Sequence, residues 1–268
     1  MKKQLILFAA ILGSIVLTSH ELFLKTDAYF LQPGQASELY LFNGTFDQSE
    51  NEITRDRIIN AKILGPDHEF MPEDKDYYDK DKATYLKFKS SKAGTYVAGV
   101  STLPRTIELT GKQFNDYLTH EGLDHVMANR EQAGILDDEA KEIYSKHVKA
   151  ILQVGDKNTD DFSTVLGYPI EFVPVDNPYS KKAGDEFSFQ LLVGGNPLPN
   201  QTVHYSTSMP GKDAHANEKS TKTDEKGVMT MTPTQAGKWY VATIHMVESD
   251  EDGVDYESNW ATLTFAVK

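Results

Sequence analysis

The chain has eight histidines and no cysteine, so any transition-metal site must be built from His, Asp, Glu, Met, a free amine or backbone groups. Thiol catalysis, thiolate ligation and disulfides are excluded by the same count. His20 holds the most chemical promise. Met1-Lys2-Lys3 is followed by an apolar run from Leu5 to Leu17 and then Thr18-Ser19, the pattern of a secretory signal peptide. That run is shorter than the ~20 apolar residues of a spanning helix. Cleavage after Ser19 would make His20 the N-terminus, offering a metal the α-amine and the imidazole Nδ1 of one residue. Leu17 is large for its place in such a cleavage site, and the alternative cut after Thr18 would leave Ser19 first.

The other histidines are His68, His120, His125, His147, His204, His215 and His245. None forms a His-x₃-His pair or an HExxH motif, so a metal site has to be assembled from distant segments. On an expected strand from Trp239 to Met246, alternation puts Trp239, Val241, Thr243 and His245 on one face. His245 stands just before an acidic stretch, Glu248 to Asp255, and a strand end beside a loop suits a ligand. Glu248, Asp250, Asp252 and Gly253 imitate the start of a calcium loop, but Asn259 stands where a bidentate glutamate is required, so a carboxylate-rich hairpin is expected instead. His147 reads as a core histidine with a satisfied ring. His120 and His125 flank Gly122 at a helix end, and His68 and His215 fall in polar loops without functional expectation. There is no Gly-x-Ser-x-Gly elbow and no glycine-rich phosphate loop, so hydrolase and nucleotide chemistry find no support.

These residues must be positioned by a mainly β chain. From Glu21 to about Thr110, β-branched and aromatic runs alternate with turn pairs such as Pro33-Gly34 and Asn43-Gly44. The expected strands are Phe23–Leu31, Glu38–Phe42, Ile58–Leu64, Thr84–Ser90 and Thr95–Ser101. The charged stretch Glu73–Lys82 reads as a solvated loop. Thr110 and Gln113 form a capping box for a helix that carries Phe114, Tyr117 and Leu118 and stops at Gly122. A second helix is expected from Asp137 to Gly155, because Ala140, Ile143, Tyr144, Val148, Ile151 and Leu152 recur at helical spacing. Strands return at Phe187–Val193, Thr202–Ser206, Val228–Thr232, Trp239–Met246 and Ala261–Val267. The division is a signal peptide (1–19), an N-terminal β-sandwich unit (20–110), a helical insertion (111–166) and a C-terminal Ig-like sandwich (167–268). Without Lys2 and Lys3 the chain carries 25 basic and 40 acidic residues, a net −15 that disfavours nucleic acid and anionic lipid and attracts cations.

Several strings resemble the DUF4198 family of exported bacterial proteins. They are His20-Glu21-Leu22-Phe23-Leu24-Lys25, Phe114-Asn115-Asp116-Tyr117-Leu118, Tyr144-Ser145-Lys146-His147-Val148, Gly167-Tyr168-Pro169-Ile170-Glu171, His245-Met246 and Glu257-Ser258-Asn259-Trp260. Some members of that family are labelled periplasmic components of cobalt or nickel uptake systems. The resemblance implies two β-sandwich-like (Ig-like or transthyretin-like) units around a helical insertion. It also implies metal-binding roles for His20 and for the His245-Met246 pair.

The expected function is capture of a divalent transition metal, nickel, cobalt or copper, in the periplasm or outside the cell, with delivery to an uptake transporter rather than catalysis. His20 and His245 would supply nitrogens, with Met246 or Glu257 as a weaker ligand. Nitrogen-rich sites without thiolate suit copper and nickel. Two alternatives stay open: a metal-independent module binding glycan or protein, and a copper oxidase using an N-terminal histidine brace.

Overall fold

The computed structural model describes residues 21–209 and 214–268, so the expected signal peptide and His20 lie outside the described residues. The first β region contributes β1 (Glu21–Lys25), β2 (Phe30–Leu31), β3 (Ala36–Gly44), β4 (Ser49–Asn51), β5 (Ile58–Gly65), β6 (His68–Phe70), β7 (Tyr77–Lys80), β8 (Ala83–Lys89), β9 (Gly94–Thr102) and β10 (Arg105–Leu109). Helices α1 (Gly111–His120) and α2 (Asp124–Ala133) follow, then the long strand β11 (Ala140–Val154). The second β region contributes β12 (Ile170–Pro174), β13 (Phe187–Val193), β14 (Asn196–Pro197), β15 (Thr202–Thr207), β16 (Lys219–Lys222), β17 (Val228–Met231), β18 (Gly237–Glu248) and β19 (Tyr256–Val267). Among the described residues, no helix is long and apolar enough to cross a membrane.

One ten-stranded sheet runs β16-β15-β18-β19-β11-β9-β5-β6, with β2 and β10 also pairing β11, so strands of both β regions share it. Two smaller sheets, β1-β3-β8-β7 and β12-β13-β14, flank it. They meet β19 on opposite sides. Thr262 and Thr264 donate their hydroxyls to the carbonyls of Leu22 and Leu24 in β1. Phe265, on the other face by alternation, packs on Phe187 and Phe189 of β13 at ring separations of 5.6 and 5.1 Å. The main core lies between these layers, with Leu22, Leu24, Leu39, Val148, Ile151, Phe172, Leu263 and Phe265 essentially dry.

The segment expected as a second helix is strand β11. It pairs antiparallel with β9 and β10 and parallel with β19, from Glu142↔Tyr256 to Ala150↔Thr264. A strand buried on both faces loses the alternation that normally betrays it. Here the polar residues that break the apolar pattern are satisfied internally. Lys149 Nζ donates to Glu171 Oε2 at 2.7 Å, both side chains being 1% exposed. The Glu171 carboxylate also accepts from the backbone N–H groups of Leu166, Gly167 and Tyr168 at 2.7–3.1 Å, which explains the Gly-Tyr-Pro-Ile-Glu string as a carboxylate-capped turn. Likewise, β7 and a short 3₁₀ turn replace the loop expected over Glu73–Lys82.

Helix α1 begins at the capping box read from Thr110 and Gln113. The real second helix, α2, ends at Gly134, whose φ of 71° is left-handed. Both helices pack Phe114, Leu118, Leu123 and Val126 against Ile244, Met246, Tyr256 and Trp260.

Candidate metal centre

Strand β1 starts at Glu21, and alternation sends Glu21, Phe23 and Lys25 to one face and Leu22 and Leu24 to the other. Leu22 and Leu24 anchor the strand in the main core. Phe23 packs edge-on against Phe46 and Tyr240 at 5.1 and 4.9 Å. Burial of its neighbours draws Glu21 in: it is 6% exposed, and its Oε2 has no hydrogen-bond partner among the described residues. Burial, then the charges of Glu218 and Glu121, push its carboxyl up to about 8, while His215 and His204 pull the other way.

The imidazoles around Glu21 come from the second β region. His204 on β15 lies directly opposite Ala242 on β18, and opposed residues of an antiparallel pair share a face. Ala242 and Tyr240 belong to the same small cluster as Phe23. His204 Nδ1 is 3.2 Å from Glu218 Oε1, and its Nε2 is 3.4 Å from the backbone carbonyl of Glu121. His215, in the 3₁₀ turn His215–Asn217, places Nδ1 3.5 Å from Glu218 Oε2. Tyr240 donates its hydroxyl to Glu218 Oε2. Burial opposes charge on His204, but Glu218 outweighs it and lifts the imidazole to about 9. Burial likewise opposes charge on Glu218, and the bonds from His204, His215 and Tyr240 hold it far below the usual carboxylate range. One ligand atom each from Glu21, His215 and Glu218 lies within 4.8 Å of the others. Two carboxylates and an imidazole at that separation, one carboxylate oxygen orphaned in the interior, match the donor set of a divalent transition metal.

The residues expected from sequence are placed differently. His245 is half-buried on β18 opposite Asn259. Burial, then the charge of His125, lowers its imidazole. Glu257 shares that face of the β18–β19 pair and is exposed, accepting from Asn259 Nδ2 at 3.3 Å. Met246 points to the opposite face and is fully buried among α1, α2 and Trp260, so it does not join His245. Tyr240 and Ala242 face β1, and alternation turns His245 to the other side of the sheet. His147 is a satisfied core histidine as expected, on a strand instead of a helix: Nδ1 meets Ser101 Oγ at 2.9 Å and Nε2 meets Asn259 Oδ1 at 3.0 Å. The stretch Glu248–Asp255 is a hairpin turn closed by Ser249 N–H to the Asp255 carbonyl at 3.0 Å.

Sequence reasoning gave no role to His204, Glu218 and Glu21, and set His215 aside as a polar-loop residue. Alternation within Thr202–Ser206 puts His204 among residues of one face, but only strand register reveals what that face meets.

A three-layered, mainly β scaffold carrying a carboxylate–imidazole cluster at the start of its first strand is the class of protein these features define. The profile of the domain of unknown function DUF4198 matches residues 17–247, and the chain belongs to that family. No curated protein matches the chain. Among solved structures it is similar to the D0–D1 domain of intimin, at 12% identity over 91% of this chain and 97% of that one, with a TM-score of 0.22. It is similar to an α2-macroglobulin of Escherichia coli activated by porcine elastase, at 11% identity over 93% of this chain and 20% of that one, TM-score 0.23. A marsupial T cell receptor matches at 8% identity over 92% and 73% of the respective chains, TM-score 0.21.

Proposed function

We propose that this protein is exported, binds a divalent transition metal (nickel, cobalt or copper) as cargo, and passes it to an uptake system without chemistry on the metal. The observation that carries the reading is the convergence of Glu21, His215 and Glu218 ligand atoms within 4.8 Å, beside His204. One peptide bond joins His20 to Glu21, which holds their Cα atoms about 3.8 Å apart. A chain cut after Ser19 would therefore carry its free amine one residue from Glu21, and His204 and His215, not His245, are the imidazoles beside this cluster. Metal entry would expel the proton that burial keeps on Glu21, since a ligand carboxylate must be ionised. The scaffold is read as two sandwich-like units sharing the long sheet, with α1 and α2 between them.

Calorimetric titration of the processed protein with Ni²⁺ and Cu²⁺ tests the reading. His215→Ala, Glu218→Gln and a form with one extra N-terminal alanine should each bind at least about tenfold more weakly, roughly one lost ligand bond. Equal affinity in all four proteins refutes it. The N-terminal residue of the exported protein, read by mass spectrometry, should be His20.

A second reading, a metal-independent glycan-binding module, is favoured by one observation. Tyr78, Tyr85, Tyr40 and Phe42 form a row on one face of the β1-β3-β8-β7 sheet, successive rings 4.9–5.4 Å apart, with half-buried Tyr78 and Tyr85 at its more open end. Glycan binding by metal-free protein that is lost in Tyr85→Ala would support it.

A further inference from the structure

A polar cavity of about 390 Å³ opens where β3, β4 and β10 approach β11. Its walls carry Arg57, Arg105 and Lys146 together with Asn51, Thr54 and Tyr144, and Glu52 is its one carboxylate. Such a concentration of cations is unexpected in a chain of net charge −13. Arg57 is 7% exposed. One of its terminal nitrogens donates to the Leu103 carbonyl at 3.1 Å, but its Nε is buried with no acceptor among the described residues. The Arg57 guanidinium and the Lys146 ammonium stand 5.8 and 5.7 Å from the centre of the same Tyr144 ring. Lys146 Nζ also reaches Asn43 Oδ1 at 3.4 Å. Among the described residues, neither Arg57 nor Arg105 has a carboxylate within 4 Å. Burial lowers the affinity of Arg57 for its proton, and the nearby Arg105 charge lowers it further.

A buried guanidinium with an unused N–H is costly unless something accepts from it. Guanidinium groups present their donors in a planar fork that matches carboxylate and phosphate oxygens. Asparagine, threonine and tyrosine add neutral donors that a hydroxylated or branched acid would use. The space is far larger than one inorganic anion needs and falls in the range of small-molecule sites.

We propose that the Arg57–Arg105–Lys146 cavity binds a small organic oxyanion, its carboxylate or phosphate group seated on the Arg57 Nε and the Arg105 guanidinium at the mouth. This site differs from the metal reading in ligand and residues: its ligand is an anion and it holds none of Glu21, His204, His215 and Glu218, although the Glu21 charge reaches Lys146.

The test is calorimetric titration of the metal-free full chain with citrate and, separately, with inorganic phosphate, at low ionic strength. Saturable one-to-one binding is expected, weakened roughly tenfold or more in Arg57→Gln, as for loss of a charged hydrogen bond. Arg105 is exposed, so Arg105→Ala keeps the fold and should weaken binding several-fold even if the Arg57 variant fails to fold. Binding of citrate well above phosphate assigns an organic carboxylate, and equal binding assigns a simple oxyanion site. Absence of saturable binding by both anions, or binding unchanged in Arg105→Ala, overturns the proposal.

Discussion

His204 Nδ1 lies 3.2 Å from Glu218 Oε1, and this contact joins a central-sheet strand to the turn that carries His215. The imidazole is held up to about 9 by Glu218 against the opposing effect of burial. Stability from this pair is therefore fully present below the ordinary histidine value near 6.5 and is lost as pH rises through about 9. Glu218→Gln should shift the His204 titration, followed by NMR, down toward 6.5 and lower stability at pH 6 by roughly 2–3 kcal/mol. An unmoved midpoint would show that Glu218 does not set the charge of His204.

Glu142 should titrate in the opposite sense to an ordinary paired carboxylate. Burial pushes its carboxyl up to about 7, against hydrogen bonds from Ser258 and Tyr117 that favour the ionised form. Between about 4.5 and 7 the unfolded chain loses this proton while the folded chain keeps it, so stability falls as pH rises. Glu142→Gln keeps the acceptor oxygen and removes the titration. Urea midpoints from pH 4.5 to 7 should show a shallower decline in the variant than in the parent.

Lys149 and Glu171 offer a sharper contrast between breaking a pair and replacing it. Glu171→Ala would leave a buried ammonium and three backbone N–H groups without their acceptor, a loss of about 3–5 kcal/mol. The double variant Lys149→Met/Glu171→Gln removes the charge and keeps an acceptor, so it should recover much of that loss in chemical denaturation. A double variant as unstable as the single one would show that the capped turn, not the buried charge, dominates.

Met246 separates packing from ligation. Met246→Ala should lower stability by about 2–4 kcal/mol through the void it leaves among Phe114, Leu118 and Trp260. The same variant should leave metal affinity unchanged, because its side chain faces away from His245 and packs in the helix cluster rather than in the Phe23–Tyr240 cluster beside Glu21. A selective loss of affinity would restore Met246 as a ligand.

Strand positions were legible where one face is wet: Phe187–Val193 and Ile58–Leu64 follow from β-branched runs between turn signals. Strand β11 was not legible, because its buried Lys146, His147, Lys149 and Gln153 erase the alternation and leave apolar residues at helical spacing. The candidate site was half legible. The start of β1 was singled out through His20, but its imidazole partners depend on the register that sets His204 opposite Ala242, and local sequence carries no trace of that pairing. His245 and Met246 are separated by alternation, which sends them to opposite faces of β18.

The parallel pairing of β11 with β19 has a kinetic consequence. Parallel neighbours cannot form from a hairpin, and here the partner is the final strand of the sequence, seated between β11 and β18. Closing a sheet through contacts so distant in sequence is slow. A nascent chain therefore cannot complete its central layer until Tyr256–Val267 has been synthesised, and it stays open and unfinished for as long as that strand is held back.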